Sequence, residues 1–469
     1  MTRANRDCDV LIVGGGGAGM AAAIEAADQG AAVAVLEAGT RPGGSTALSG
    51  GVVYAAGTSI QRAAGWDDDA ERMYRYYMTF NRWNLEPWLI RRLCEESAPT
   101  LGWLLGLGVE MPVDGLYVSG VEDVPRGHHT RGSGAALLEH LLGAASARGV
   151  AINSGVRVEA LLVEQGRVAG VVAQGAVMRA GAVVLATGGY GANRAMLAEF
   201  NPEIAEQDER WSFYFGSETS RGDGIRMARE AGAAVTGAGR LLVNASPGFS
   251  RDVADFHPPW LVFVNRHGQR FMDETWPYCI AGHRIEEQPG RRCFAIFDEP
   301  ARAASPSRHP FADKLGVGDF AYSGDRLAAE VATGRVIAAA SLDELAARAG
   351  IDPVGLAGTV TRYNADVRGG GDRQFFKQGA LATIETAPFY AAEVHAASFG
   401  ATSAGVRIDP DARVLGADAG SIPGLYAAGE TAGGVLGERY VGGGNYLSNA
   451  LIFGRIAGRG AAADARQSA

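Results

Sequence analysis

The chain has only four cysteines in 469 residues, Cys8, Cys94, Cys279 and Cys293, and none stands in a C-x-x-C or C-x-x-C-H arrangement. Iron–sulfur, structural zinc and c-type haem centres therefore lack their ligand runs, and no metal is expected. An isolated cysteine such as Cys279 reads first as a small core residue, and the sparse usage fits a reduced, cytoplasmic compartment. No Lys/Arg stripe occurs and the formal net charge is -9, so no nucleic-acid partner is expected. No apolar run reaches the roughly 18 residues of a membrane-spanning helix. The polar opening from Met1 to Asp7 predicts no signal peptide. Nothing repeats internally. Glycine is plentiful, at 67 residues, but it clusters in loop motifs, which excludes collagen-like and low-complexity chains. With 47% hydrophobic and 20% charged residues, the composition is that of a soluble globular protein large enough for two or more domains.

The richest segment is the first. Asp9-Val10-Leu11-Ile12-Val13 is a short apolar run, followed at once by Gly14-Gly15-Gly16-Gly17-Ala18-Gly19. An Ala-rich stretch from Met20 to Gln29 comes next, then a second apolar run, Ala31 to Leu36, ending at Glu37. Strand, glycine turn, helix, strand and acid, in that order, form the dinucleotide-binding pattern in its structural context. Gly14 permits the turn, Gly16 lets backbone approach a pyrophosphate, and Gly19 lets helix and strand pack closely. Gly17 and Ala18 open the helix, whose N-terminal N–H groups and dipole favour phosphate. Glu37, about 20 residues on, is placed to bind ribose hydroxyls, with Ala38 beside it. The competing structural reading is a glycine-rich loop that merely packs a Rossmann-like core.

Further along, residues 68–110 and 135–148 read as helices, while 156–158 and 166–172 alternate like hairpin strands. Ala182 to Leu185 is a buried strand ending in Ala186-Thr187-Gly188-Gly189, which returns the chain to the cofactor. From about Leu241 the texture shifts toward Pro, Trp, Phe and His. Three segments follow from this: 1–240 as the first part of a nucleotide-binding domain, 241–385 as an inserted substrate domain, and 386–469 as the domain's second part. The last segment holds Gly424-Leu425-Tyr426-Ala427-Ala428-Gly429-Glu430 and a final helix from Tyr446, introduced by Gly442-Gly443-Gly444.

A second glycine/hydroxyl loop follows Glu37: Gly43-Gly44-Ser45-Thr46-Ala47-Leu48-Ser49-Gly50-Gly51. NAD needs no such loop, whereas an extended FAD does. With the Ala186–Gly189 strand end and the Gly-Leu-Tyr-Ala-Ala-Gly-Glu run, the chain resembles the fumarate reductase/succinate dehydrogenase flavoprotein superfamily over nearly its whole length. The resemblance implies an α/β fold: a Rossmann-like FAD-binding domain (GR2-type) with an inserted α+β capping domain. It implies that Glu430 binds the ribityl chain, although a surface carboxylate capping a turn is the plain alternative. It also implies that Val158 meets adenine through its backbone, and that Gly443, Asn445, Tyr446 and Leu447 bring a helix N-terminus to the flavin. Covalent members carry a histidine where this chain has Gly44, so non-covalent FAD is expected.

Dicarboxylate members of that superfamily clamp substrate with Arg and His and deliver a proton from Arg. Their T-T-R-D slot is here the stretch Gly268-Gln-Arg270-Phe-Met-Asp-Glu274-Thr-Trp-Pro-Tyr278, with Tyr278 at the proton-delivering position. Their H-T-x-G-G segment is replaced by Ala401-Thr402-Ser403-Ala404-Gly405. R-F-x-x-E-x-x-P-Y and Glu438-Arg439-Tyr440-Val441-Gly442-Gly443-Gly444, followed by the helix segment Phe453–Gly458, are instead similar to 3-ketosteroid dehydrogenases.

That likeness implies desaturation beside a ring ketone, Δ4-(5α) or Δ1, with Δ4 favoured by the shorter chain. Tyr440 and the Gly444 N–H would hold the carbonyl oxygen, and Tyr278 would take the α-proton. An unperturbed tyrosine titrates near 10, so the base needs help, for which Tyr117 is the candidate partner. Without that likeness, Tyr278 reads as a half-buried aromatic, and Arg270 with Glu274 as a structural ion pair. His128 and His129 read as a hydrogen-bonded loop. Four readings stand: a 3-ketosteroid desaturase, a dehydrogenase of a small cyclic ketone such as an oxo-cyclohexane carboxylate held by Arg439, a fumarate-type enoate reductase, and a non-catalytic flavoprotein. A catalytic reading requires a separate electron acceptor.

Overall fold

A computed structural model describes residues 6–239, 241–250, 257–308, 320–437 and 439–467. Glu438 and the Cys279 side chain lie outside the described residues. The chain divides into two compact units: residues 1–206, 216–242 and 401–469 form one, and residues 207–215 and 243–400 the other.

The first unit is built on an eight-stranded sheet. Its central order is Arg413–Leu415, Ser421–Ala427, Ala176–Leu185, Cys8–Val13, Val33–Glu37 and Ala151–Ser154. Cys8–Val13 pairs in parallel with Val33–Glu37 (Val10 opposite Val33) and with Ala176–Leu185 (Val13 opposite Leu185). Such strands are covered on both faces, so they read as unbroken apolar runs; Val10, Leu11, Ile12 and Ala182 through Leu185 are fully buried. Val158–Glu164 and Arg167–Ala173 extend this sheet as antiparallel hairpins. Gln165-Gly166 and Gln174-Gly175 turn them, all four with positive φ, as the right-handed twist of two-residue hairpins requires.

The helix Gly17–Asp28 is buried from Gly17 through Ala26. Alanine serves there as a strong helix former whose small side chain lets neighbours approach on every side. Its main neighbour is the C-terminal helix Asn445–Gln467. The two come so close that a Cβ on Gly454 would lie 2.4 Å from the Ala18 carbonyl oxygen, and one on Gly458 2.2 Å from that of Ala22. Arg455 Nε, almost buried, donates to Glu25 Oε1 at 2.5 Å across the same contact. A small sheet, Val52–Tyr54 with Gly127–His129 and then Leu116–Tyr117, completes the unit. His128 in it is buried and bonded to Thr58 Oγ1 at 2.8 Å, and burial lowers its pKa to about 4. His128 is thus a hydrogen-bonded strand residue, paired with Val53 and Leu116, where a loop was expected.

The second unit is α+β. Leu241–Ser246, Phe389–Thr402, Arg292–Asp298 and Val262–Val264 are neighbours in that order, and Val336–Ala339 also pairs with Phe389–Thr402. Helices Leu342–Ala349 and Pro353–Arg368 cover a core of Val262, Phe294, Ile296, Leu345, Leu356 and Tyr363. Among the described residues no helix is long and apolar enough to cross a membrane, and no group of three or more His, Cys, Asp or Glu could hold a metal ion.

Candidate flavin and substrate site

The glycine loop is set by close approach. A Cβ on Gly19 would lie 1.9 Å from the Gly14 carbonyl oxygen, and one on Gly14 2.2 Å from that of Ala186. Gly16 differs: the nearest protein atom to a Cβ there is the Gly43 oxygen at 3.6 Å. No protein atom crowds its backbone, the condition for a diphosphate to lie against it. Gly17 N donates to Thr46 Oγ1 at 3.0 Å, joining this loop to the second one. Ser49 Oγ donates to the Thr46 carbonyl, and Ser45 Oγ accepts from Ser217 N. Both oxygens of Glu37 are engaged, Oε2 by Gly15 N at 2.7 Å and Oε1 by Gly39 N at 2.6 Å. Each oxygen keeps a second lone pair, so the carboxylate can brace the loop and still accept a ribose hydroxyl. Ala38 is exposed, and Val158 is buried at the start of its hairpin. A Cβ added to Gly44 or Gly50 would meet no atom within 4 Å.

Thr187 and Gly188 end the strand Ala176–Leu185 beside Thr431, whose Oγ1 donates to the Gly188 carbonyl at 3.1 Å. Gly429 sits where a Cβ would meet Ala18 at 3.0 Å. Glu430 is not an exposed turn cap. Its Oε1 accepts from Thr402 N at 2.6 Å and from Thr402 Oγ1 at 2.7 Å, and burial still pushes its pKa up to about 7. The Gly189 backbone is a third donor to Glu430, and a buried carboxyl so placed suits the hydroxyls of a ribityl chain. At the head of the C-terminal helix, the side-chain oxygens of Asn445 and Asn449 are buried with no hydrogen-bond partner among the described residues. Buried acceptors without partners are costly, and these stand in the first two turns of that helix, where an isoalloxazine edge would offer a donor. The residues present fit FAD.

Beside that helix start lies a cluster of tyrosines. Tyr440 Oη accepts from Gly444 N at 2.9 Å and Asn445 N at 3.1 Å. Its ring stacks on Tyr446 with centroids 5.6 Å apart, and the Tyr446 hydroxyl bonds Ser403 Oγ at 2.6 Å. Burial drives the Tyr446 pKa well up. Tyr117, on the small sheet, is 36% exposed, but the packing around it raises its pKa, with Tyr440 and then Glu122 adding to the effect. Tyr117 and Tyr440 are thus electrostatic neighbours. The loop after Tyr117 is strapped to the loop after Tyr440: Gly120 bridges Gly442, and Gly443 N donates to the Ser119 carbonyl at 3.2 Å. Glu122 holds that strap from below, with Oε1 accepting from Ser119 N at 3.0 Å and Ser119 Oγ at 3.2 Å. Ser448, one turn into the C-terminal helix, clasps Tyr54 by both its N–H and its carbonyl, at 2.7 and 3.0 Å.

Tyr278 belongs to the second unit, as the first residue of the helix Tyr278–Glu286. The loop leading to it rests on four buried charges. Arg270 is bidentate to Glu274 (2.8 and 2.9 Å) and to Asp372 (3.0 and 2.8 Å). Lys377, one of the chain's two lysines, reaches Glu274 Oε2 at 2.9 Å. Burial alone would raise the Glu274 pKa, but Lys377 and Arg270 reverse that and hold it below the usual range.

The model of the FAD binding domain family matches residues 9–447. The chain belongs to this family. A probable fumarate reductase of Shewanella frigidimarina is 33% identical over 467 residues, 97% of this chain and 74% of that one. A 4-oxocyclohexanecarboxylate 2-dehydrogenase of Sinomonas cyclohexanicum is 28% identical, covering 96% and 92%. The crystal structure of a 3-ketosteroid Δ4-(5α)-dehydrogenase of Rhodococcus jostii, in complex with 4-androstene-3,17-dione, superimposes with a TM-score of 0.79 at 28% identity, covering 98% of each chain. The protein is an FAD-dependent oxidoreductase of the fumarate reductase family.

Several residues that support the candidate positions, in one unit or the other, have no local sequence signal. Glu122, Asp372, Lys377 and Asn449 are reached only through the fold. Thr402 and Ser403 lie in the Ala401–Gly405 segment that replaces a His-Thr motif. There they serve Glu430 and Tyr446.

Proposed function

We propose that this flavoprotein desaturates a ring ketone beside its carbonyl, with a 3-ketosteroid as the substrate class and Δ4-(5α) as the favoured position. The observation that carries the reading is the placement of Tyr440 Oη within 2.9 Å of the Gly444 N–H. The Gly444 and Asn445 N–H groups donate to that oxygen, which strengthens the phenol O–H as a donor to a carbonyl oxygen, and the Gly444 N–H joins it where the carbonyl oxygen takes the place of Oη. A neutral ketone oxygen needs two such donors, whereas a carboxylate calls for cations. Withdrawal of electron density by these donors acidifies the α-carbon, and Tyr278 takes the proton from it. Its place at the head of a nine-residue helix puts it where the helix dipole favours negative charge. Tyr117 assists as a neighbour of Tyr440. What FAD supplies when bound is two-electron acceptance of the β-hydride. A separate acceptor then takes the electrons. The likeness to both the Rhodococcus steroid enzyme and the Sinomonas cyclic-ketone enzyme supports this chemistry. Arg439 would hold the carboxylate of the smaller ketone.

A second reading, reduction of an enoate, is favoured by the 33% identity to a fumarate reductase. Anaerobic mixing of the FAD-loaded protein with saturated 3-ketosteroids, with 4-oxocyclohexanecarboxylate and with succinate separates them. Bleaching of the flavin band by a ketone, lost in Tyr278→Phe and reduced about 10²-fold or more in Tyr440→Phe, is the expected result. Bleaching by neither ketone, with re-oxidation of the reduced flavin by fumarate, would replace it with enoate reduction.

A further inference from the structure

The second unit contains a cavity that the chemistry proposed above does not use. It measures about 170 Å³. Its walls come from the segment 207–215, the strands Arg292–Asp298, Val336–Ala339 and Phe389–Thr402, and the end of the helix Leu342–Ala349. Arg210, Arg292, Arg335 and Arg348 line it, together with Glu393, and Glu330 and Glu344 stand beside Arg335 and Arg348. Glu393, Glu330 and Glu344 set against the four arginines leave one positive charge in excess, at Arg210, in a chain whose net charge is -9.

Each guanidinium is anchored from one side. Arg292 Nη1 pairs with Glu393 Oε1 at 2.6 Å. Arg335 Nε pairs with Glu330 Oε2 at 2.6 Å and donates to Thr333 Oγ1 at 3.2 Å. Arg348 Nη1 donates to the Ala338 carbonyl and stands 3.6 Å from Glu344 Oε1. Arg210 has no carboxylate partner for its side chain among the described residues. It lies flat on Trp211, its Cζ 3.6 Å from the ring centroid. Trp211 stacks in turn on His395 at 3.9 Å, and His395 is held by Gln207 and Glu393, each at 3.0 Å.

A guanidinium carries five N–H donors, and these contacts occupy one or two of them. The side chains of Arg292, Arg335 and Arg348 are 42–53% exposed and Arg210 is exposed, so the remaining donors are open to a ligand. Phe294, Ile337, Ala349 and Ala391 add the apolar part of the lining. The volume is below that of pockets for drug-sized ligands, so an extended dinucleotide does not fit.

We infer that this cavity binds a small oxyanion carrying two or more negative charges, through Arg210, Arg292, Arg335 and Arg348. Phosphate groups and short polycarboxylates share that chemistry. Every residue involved lies in the second unit and outside the tyrosine machinery, so the site stands whether or not ketones are the substrate.

The test is calorimetric titration of the FAD-loaded full-length protein, in a chloride buffer, with inorganic phosphate and separately with citrate. The expected result is one saturable site per chain for at least one of them. Binding should weaken about tenfold in Arg210→Ala and again in Arg292→Ala, the loss of charge-assisted hydrogen bonds. Far-UV circular dichroism and a thermal melt of both variants, unchanged from wild type, show that they remain folded. Tighter binding of phosphate assigns a phosphoryl ligand, and tighter binding of citrate a polycarboxylate. No saturable heat with either probe, or equal binding by wild type and both variants, overturns the inference.

Discussion

Thr402 donates twice to one oxygen of Glu430, from its backbone N–H at 2.6 Å and its hydroxyl at 2.7 Å. Burial raises the Glu430 pKa more than those two bonds and one from the Gly189 backbone lower it, and the balance is about 7. An unfolded glutamate titrates near 4.3, so the folded apoprotein holds a proton that the unfolded chain releases. The stability from this group is fully present below about 4.3 and is lost as pH rises through about 7. Thermal melts of FAD-stripped protein should therefore show a decline between those pH values that Glu430→Gln flattens. If ribityl hydroxyls donate to Glu430, FAD binding expels the proton and affinity rises with pH through 7, again flattened in Glu430→Gln. Parallel pH profiles for wild type and variant would remove Glu430 from the cofactor site.

Gly454→Val should be among the most damaging single changes in the chain. The Cβ it introduces would fall 2.4 Å from the Ala18 carbonyl oxygen, and that atom belongs to a buried helix with no flexible end to move. The two helices must separate, at a cost of about 3 kcal/mol. Because Ala18 opens the glycine-loop helix, FAD affinity should fall together with the melting temperature. Flavin retention on gel filtration and a thermal melt measure both.

Lys377→Met should destabilise the second unit by about 3–5 kcal/mol, since it leaves two buried carboxylates, Glu274 and Asp372, with Arg270 as their one remaining cation. Urea denaturation at neutral pH checks this. The double change Lys377→Met with Glu274→Gln restores the charge balance and should recover part of the loss, which a purely steric role for Lys377 would not allow.

Glu122 has no hydrogen bond to either residue proposed to hold the carbonyl, yet it fixes the Ser119–Gly120 loop that bridges Gly442 and Gly443. Its Oε1 only accepts from Ser119, which an amide oxygen can also do. Glu122→Ala should raise KM for the ketone and lower kcat/KM about tenfold, the loss of one or two buried hydrogen bonds, while Glu122→Gln retains most of the activity. Equal losses in kcat for both variants, with KM unchanged, would point to proton transfer rather than positioning.

Much of this protein is legible from residue order alone. The β-α-β unit from Cys8 to Glu37 depends on local geometry: a buried parallel strand, a turn that only glycine allows, and a helix start. The final helix is readable from its own apolar periodicity, and Tyr440 and Gly444 are four residues apart, so their contact needs only a tight loop. The rest required the fold. Glu430 meets Thr402 across 28 residues, Arg270 meets Asp372 across 102, and Tyr54 meets Ser448 across 394. Propensity and periodicity describe a segment's own backbone. They say nothing about which distant polar group will be buried against it, and burial is what turned Glu430 into a proton-holding carboxyl and paired Lys377 with Glu274. Local order along the chain is enough to specify the nucleotide fold and the residue types of the site. Packing between distant segments selects which of those residues share a dielectric, a hydrogen bond or a proton.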